Sequence, residues 1–280
     1  MASFTLLNTR PARQADGLNA LVASQGGLAL SCPSLHIAAL ALPQFETSRV
    51  LSAEQAASQP SLSLESLFRV DHWVFISVNA VQHFAEALAP EWSALQQQLS
   101  MPSAPRVHAI GEATAKALIN AGLPTQQPLH AQFDSESLLA SEAFQSLCDA
   151  KVLILKGLGG RETLANELKI RGAQVCAWSL YERQIAPWCA EVWQRFQTQP
   201  EPMLLFSSQG SFDAFQSQIK LHEASEAWQW ALQQESVVFS ERIKNHCREA
   251  GWIGAIEVVP IQSDLGILHA IDYLRERRNV

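Results

Sequence analysis

Residues 157–162 read Gly-Leu-Gly-Gly-Arg-Glu, and here residue types and spacing first point to chemistry. The glycines allow a tight turn and a close approach of backbone N–H groups to a ligand. An apolar, branched run at 152–155 precedes the loop as a strand, and Leu164 and Leu168 follow it at helical spacing. The loop therefore aims at a helix N-terminus, where free N–H groups and the helix dipole favour an anion. Gly172 sits where a helix C-cap belongs, 175–178 forms the next strand, and the unit closes on Tyr181-Glu182-Arg183. A dinucleotide fingerprint would need a glycine where Glu162 stands and an acid after the next strand, where Trp178-Ser179-Leu180 lies. No GxxxxGK[ST] run occurs, so a P-loop is also excluded. A glycine turn that merely joins strand to helix explains these residues equally well.

The elements that must position this loop repeat along the chain. Strands are expected at 4–8, 28–30, 72–77, 107–110, 203–208, 236–240 and 256–259. Each interior strand leads into a helical stripe: Leu18, Leu21 and Val22; Val81, Phe84 and Leu88; Phe212 and Phe215. Asp134 or Ser135 is placed to cap a helix, and Ser263-Asp264 opens a last one through Leu265, Leu268, Ile271 and Leu274. The basic tail at 275–278 is read as complementing that helix's C-terminus. The Ser-, Ala- and Gln-rich segment 44–65 reads as a loosely packed helix and loop, and 90–105 as a partly exposed connection.

Composition narrows the class. A chain of 280 residues, 48% hydrophobic and 17% charged, has room for two domains with substantial cores. Its net charge of -7 argues against a nucleic-acid or anionic-membrane partner bound by bulk electrostatics. Five cysteines (Cys32, Cys148, Cys176, Cys189 and Cys247) are odd in number and show no CxxC spacing. Packed thiols in a reduced, cytoplasmic protein fit this usage, and zinc does not. Residues 1–11 show no charged head followed by an apolar core, so no signal peptide is read there. The apolar tract 27–42 is broken by Ser31, Cys32, Pro33, Ser34 and His36, which argues against a membrane span.

The two halves echo each other. Phe75-Ile76-Ser77, Ala80 and Phe84 match Phe206-Ser207-Ser208, Ser211 and Phe215; Gly111 and Gly122 match Ser240 and Gly251. Arg13, Leu18 and Gly26 match Arg161, Leu164 and Gly172, so the first unit of one half corresponds to the last unit of the other. A permuted repeat of this kind implies one domain inserted into another: residues 1–37 with 184–280, and residues 38–183. Repeating strand–helix units imply parallel sheets covered on both faces, with ligands at the carboxyl ends of strands. The loops at 9–13, 77–80, 111–114, 157–161, 208–211 and 240–243 all follow strands, and six loops from two domains are expected to face one cleft.

Taken in order, Thr9-Arg10-Pro11, the run FISVNAV, IGEATA, SESLL, KGLGGRE, Tyr181-Glu182-Arg183, LLFSSQGS and VFSERI resemble the uroporphyrinogen-III synthase family over nearly the whole chain. Ile76 and the Ser240-Glu241-Arg242-Ile243 run depart from commoner forms of it. The resemblance implies an α/β fold of two flavodoxin-like, doubly wound parallel-sheet domains joined by a two-stranded linker. It also implies the chemistry of that family: closure of the linear tetrapyrrole hydroxymethylbilane to uroporphyrinogen III, with inversion of ring D and loss of water, in haem biosynthesis. Under it, Tyr181 is the catalytic candidate, a positioned donor that assists departure of the hydroxyl; otherwise it is a hinge or core tyrosine. The substrate-binding candidates are Arg10, Arg13, Ser77, Asn79, Gly111, Thr114, Ser135, Gly159, Gly160, Arg161, Ser208, Gln209 and Ser240. Ser77, Thr114, Ser135 and Ser208 double as candidate helix caps, and Arg10 as a solvated loop arginine. No metal or organic cofactor is expected, because the His and Cys spacings form no ligand set. The expected partner is the polycarboxylate substrate, bound by a monomer that makes at most transient contact with the preceding pathway enzyme. Two rivals stay open: a non-enzymatic two-domain protein clamping a small anion, and an inactive synthase-like protein.

Overall fold

A computed structural model describes residues 3–40, 67–125, 135–159 and 162–278, with Ser135 described by its backbone alone. The strands are β1 Thr5–Asn8, β2 Leu28–Ser31, β3 Leu35–Ala39, β4 His72–Phe75, β5 Arg106–Ala109, β6 Lys151–Gly157, β7 Gln174–Ile185, β8 Pro202–Phe206, β9 Glu235–Val238 and β10 Ile256–Val258. The α-helices are α1 Asp16–Ser24, α2 Val78–Ala87, α3 Trp92–Leu99, α4 Glu112–Asn120, α5 Ser135–Ala140, α6 Thr163–Ile170, α7 Ala190–Gln197, α8 Gln209–His222, α9 Ser225–Leu232, α10 Glu241–Glu249 and α11 Asp264–Arg278. The chain divides into two compact units, Met1–His36 with Gln184–Val280 and Ile37–Arg183. Both are α/β with parallel-dominated sheets, the fold class the sequence implies.

In the first unit the sheet order is β10-β9-β8-β1-β2, parallel throughout. Successive side chains of a strand face opposite ways, so a strand covered on both faces must be apolar at every position. Strand β8 shows this directly. Leu204 and Phe206 pack with Trp193, Phe212 and Phe215, whereas Met203 and Leu205 pack with Leu18, Val22 and Ile271. Truncating a fully buried phenylalanine such as Phe206 to alanine would cost about 3–5 kcal/mol.

The second unit's sheet runs β3-β7-β6-β4-β5, with β5, β4, β6 and β7 parallel. Trp73, Phe75, Leu153 and Leu155 face Phe84 and Leu118, while Val74, Val152 and Ile154 face Leu164 and Leu168. The order β9-β8-β1-β2 of the first sheet corresponds to β5-β4-β6-β7 of the second, the permuted correspondence read from the repeat. Each sheet thus has a switch point, between β8 and β1 and between β4 and β6, where connections depart in opposite directions and ligands of such sheets bind. The chain passes between the units along β3 and the end of β7. Ala186 N–H donates to Ser34 O at 3.0 Å, and Leu40 N–H to Leu180 O at 3.0 Å. The partner numbers run in opposite senses, so this pair is antiparallel.

Several local expectations are corrected. The connection at 90–105 contains α3, because Leu95 and Leu99 lie one turn apart and are both buried, and its glutamines are good helix formers. Strand β7 does not stop at Trp178 but runs through Tyr181 to Ile185, its second half paired with β3. Helix α9 was not foreseen; Trp228 and Leu232 bury its inner face. Leu265 is 61% exposed, and α11 packs instead through Ile267, Leu268, Ile271 and Leu274. The basic tail does more than complement a helix end. Arg278 pairs with Glu235 at 2.8 Å and Glu201 at 3.3 Å, and Arg275 Cζ lies 4.6 Å from the centre of the Phe4 ring. The 44–65 segment lies outside the described residues.

Candidate functional site

At the switch point of the second unit, strand β4 ends and Ser77 takes up extended backbone (φ -163°, ψ 158°) as the N-cap of α2. Its Oγ accepts a hydrogen bond from Ala80 N–H at 3.1 Å, satisfying one of the donors that every helix leaves unpaired at its start. The same Oγ lies 2.9 Å from the phenolic oxygen of Tyr181, and either hydroxyl can donate. Tyr181 reaches this place through a register slip. Lys156 pairs with Ser179, yet the next residue, Gly157, pairs with Tyr181. The slip turns the tyrosine ring onto Gly157, where a Cβ would stand 2.6 Å from two ring carbons. Glycine at 157 is therefore required by close approach. The Leu158 N–H donates to Tyr181 O at 2.7 Å and fixes the backbone of the same residue.

The tyrosine is 2% exposed and enclosed by residues of its own unit. His83, one turn into α2, stacks on it with ring centres 5.6 Å apart and planes 27° apart, and Arg183 Cζ lies 5.7 Å from the ring centre. His83 Nδ1 is 3.2 Å from Glu86 Oε2, off the hydrogen-bond axis. A pocket lined by Ala39, Leu40, His83, Glu86, Ala87 and Leu180 adjoins this stack. Among the described residues no group of three or more His, Cys, Asp or Glu side chains could hold a metal ion.

Two more strand ends complete the rim of this unit. Gly111 is the N-cap of α4 at φ 93°, a left-handed conformation that glycine adopts without strain. Gly159 follows β6 at φ 75° and is exposed. Asn79 is half-buried in the first turn of α2. Thr114 is 3% exposed and lies inside α4, so it is not the cap; Gly111 occupies that place. Gly160 and Arg161 lie outside the described residues, as does the side chain of Ser135.

The first unit presents a parallel set. After β1, Asn8 Oδ1 accepts the Arg10 N–H at 3.2 Å, and the buried Thr9 hydroxyl donates to Leu205 O, tying the β1 end to β8 across the switch point. Arg10 is not a solvated loop arginine: its Nη1 meets Asp264 Oδ1 at 2.6 Å at the start of α11. Arg13 is exposed on the short 3-10 turn Ala12–Gln14. Ser208 caps α8 and Ser240 caps α10, each by accepting the N–H three residues on, at 3.0 and 3.4 Å. Ser208 also closes a reciprocal box, its own N–H donating to Ser211 Oγ at 3.1 Å. Gln209 begins α8, half-buried.

The sequence candidates Ser77 and Tyr181 are thus brought into contact, with Gly159 close by in sequence to Gly157 beneath the ring. Sequence reading missed His83, Asp264 and Thr9 as neighbours of the candidates. His83 was visible only as a residue six beyond Ser77 on an amphipathic helix, and the Arg10–Asp264 pair spans too much sequence to be read from spacing.

These features define a two-unit parallel α/β protein with hydroxyl side chains and helix N-termini gathered at the carboxyl ends of its strands. The chain belongs to the uroporphyrinogen-III synthase family: the family model described as uroporphyrinogen-III synthase HemD matches residues 16–262. A uroporphyrinogen-III synthase of Salmonella typhimurium is 34% identical over 156 residues, 54% of this chain and 61% of that one. The Escherichia coli protein of the same name is 32% identical over 159 residues, covering 56% and 63%. That of Proteus mirabilis is 29% identical over 190 residues, covering 67% and 84%. The chain therefore spans less than two thirds of the length of the first two relatives. Among solved structures, uroporphyrinogen-III synthetase from Helicobacter pylori superposes with a TM-score of 0.60 at 16% identity, covering 98% of this chain and 100% of that one. A mutant uroporphyrinogen III synthase from the extremely thermophilic bacterium Thermus thermophilus gives 0.56 at 18% identity, covering 98% and 99%. At such identities the likeness bears on the fold. Among the described residues no helix is long and apolar enough to cross a membrane.

Proposed function

We propose that the chain closes hydroxymethylbilane to uroporphyrinogen III, with loss of water and inversion of ring D. The observation that carries this reading is the 2.9 Å contact between Ser77 and Tyr181 at the switch point of the second unit, in a chain of this family. Ser77 Oγ already accepts the Ala80 N–H. When its own O–H donates to the Tyr181 oxygen, the phenolic proton is free to turn toward a departing hydroxyl. The electron-rich pyrrole itself helps expel that hydroxyl, so Tyr181 assists without having to ionise. The remaining task is to fold the substrate so that the disfavoured ring attack, through a spiro intermediate, outruns direct closure. That is catalysis by proximity and orientation, and it requires no nucleophile from the protein.

The substrate's carboxylates are matched to helix N-termini and neighbouring hydroxyls and cations. Ser77, Asn79, Gly111, Thr114, Ser135, Gly159, Gly160 and Arg161 serve one unit, and Arg10, Arg13, Ser208, Gln209 and Ser240 the other. In this set Thr114 acts through the α4 N-terminus it packs beneath, and Arg10 through the loop that Asp264 steadies. The chain works as a monomer in the cytoplasm; its free cysteines support the reducing compartment. Supplying hydroxymethylbilane and separating the ring isomers tests the proposal. Uroporphyrinogen III formed faster than spontaneous closure supports it, and type I product at the spontaneous rate overturns it.

A further inference from the structure

Two of the five cysteines, far apart in sequence, meet in the first unit. Cys32 follows β2 and is 1% exposed within the apolar cluster around Trp193 and Phe215; Cys189 packs against the same cluster and stays half-exposed. The antiparallel pairing of the chain crossings brings them there. Ser34 and Ala186 are joined by a 3.0 Å backbone bond, and the two cysteines lie two residues before it and three residues after it. The two thiols are close enough to influence each other's ionisation. Cys189 is in addition the N-cap residue of α7, where unpaired N–H groups favour a negative sulfur.

We infer that Cys32 and Cys189 form a peroxide-sensitive modification site, with Cys189 the attacking thiolate and Cys32 the resolving thiol. The two sulfurs are unequal in the way this needs. The hydrogen bond from Cys32 holds the Cys189 thiol down to about 7, against the opposing effect of burial. The same bond, then burial, pushes Cys32 well above the usual thiol range, so Cys32 keeps its proton and donates it. As a thiol, Cys189 instead points to Pro187 O at 3.7 Å. The chemistry closes with hydrogen peroxide as oxidant. The Cys189 thiolate attacks one peroxide oxygen, the O–O bond breaks, and hydroxide leaves and is protonated to water; the sulfur becomes a sulfenic acid. With the Cys189 charge gone, the largest of the effects that kept Cys32 protonated is lost. Cys32 then gives up its proton and attacks the Cys189 sulfur, the S–O bond breaks, and a second water leaves. Two thiols and one peroxide become one disulfide and two waters. The product staples the two chain crossings and closes a covalent loop that contains every residue of Ile37–Arg183.

The other cysteines supply internal controls. Cys148 is exposed, and burial pushes the Cys247 thiol up to about 12, out of reach of peroxide at neutral pH. The full chain is treated with a small excess of hydrogen peroxide, blocked with N-ethylmaleimide and mapped by mass spectrometry. A Cys32–Cys189 disulfide is expected, reversed by dithiothreitol, with faster migration of the oxidised chain on a non-reducing gel because of its closed loop. In Cys32→Ala, dimedone should label Cys189. Because Cys32 is buried and that variant could misfold, the wild-type map decides independently. Oxidation of Cys148 while Cys32 and Cys189 both remain alkylatable would overturn the inference, as would cross-links between other cysteines.

Discussion

Ser77 and Ser208 occupy the same place in the two sheets, each capping the helix that follows the strand beside the switch point. Their local geometry is nearly identical, with φ of -163° and -156°, and each accepts the N–H three residues on. What surrounds them differs. Ser211 closes a reciprocal capping box with Ser208, whereas the corresponding Ala80 has no hydroxyl, which leaves Ser77 to bond Tyr181. The difference extends to the neighbouring strands. The last pair of the β6–β7 ladder is Gly157 with Tyr181, and the last pair of β1–β2 is Asn8 with Ser31. In the first unit that place is filled by polar side chains bonded together: Asn8 Nδ2 to Asn19 Oδ1 at 2.9 Å and Asn19 Nδ2 to Ser31 Oγ at 2.8 Å. In the second, a glycine leaves room for an aromatic hydroxyl. One framework thus supports a self-satisfied hydrogen-bond chain in one unit and a hydroxyl with capacity to spare in the other. Under the proposed function the first unit would bind the substrate, and the second would bind it and carry the reacting hydroxyl.

Acid should separate the units most strongly. At the opposite end of the second sheet, His72 Nδ1 and His108 Nε2 lie 3.1 Å apart, buried beside Phe144. Burial, with smaller effects of His72 and Arg106, holds His108 down to about 3; burial and Arg106 also lower His72, against Asp71. The folded unit keeps His108 neutral where the unfolded chain takes up a proton, so stability is lost as pH falls from about 6.5 toward 3, on the order of 3 kcal/mol by pH 4. Hydrogen exchange, corrected for intrinsic rates, should show β4 and β5 losing protection between pH 7 and 5 while β8 and β1 keep theirs. Equal losses in both sheets would remove this asymmetry. Next in size is Gly157→Ala. Its new Cβ would meet the Tyr181 ring, and displacing that ring should cost about 1–3 kcal/mol of stability and most of the turnover, measured by urea unfolding and steady-state kinetics. The serine pair gives a finer discrimination. Ser77→Ala and Ser208→Ala should each cost about 1 kcal/mol of stability as lost caps. Ser77→Ala should also lower kcat, whereas Ser208→Ala should raise KM alone.

Much of this contrast was legible before any coordinates. Apolar runs bounded by serine or glycine marked the strand ends, because a strand buried on both faces leaves little choice of residue. The match of Arg13, Leu18 and Gly26 to Arg161, Leu164 and Gly172, set beside that of Ser77 to Ser208, carried the expectation of an inserted domain, since equal strand–helix units bury equal faces. Other features depend on contacts that spacing does not encode. Helix α3 hid among glutamines and prolines, and its buried Leu95 and Leu99 make too short a stripe to recognise. Arg10 is held by Asp264, more than two hundred residues away, so its pairing rests on tertiary folding alone. Tyr181 reaches Ser77 only because the β6–β7 register slips at Gly157, and nothing in the residue types announces that slip.

Whether the Ser77–Tyr181 pair acts as one device is tested most directly by a double-mutant cycle on turnover of hydroxymethylbilane. Tyr181→Phe keeps the ring packed on Gly157 and removes one hydroxyl, so folding should survive and kcat should fall roughly tenfold, about 1.4 kcal/mol of barrier. If the two hydroxyls work through each other, adding Ser77→Ala to Tyr181→Phe should lower kcat no further than the worse single variant. Independent, additive losses, or a fully active Tyr181→Phe, would contradict the account.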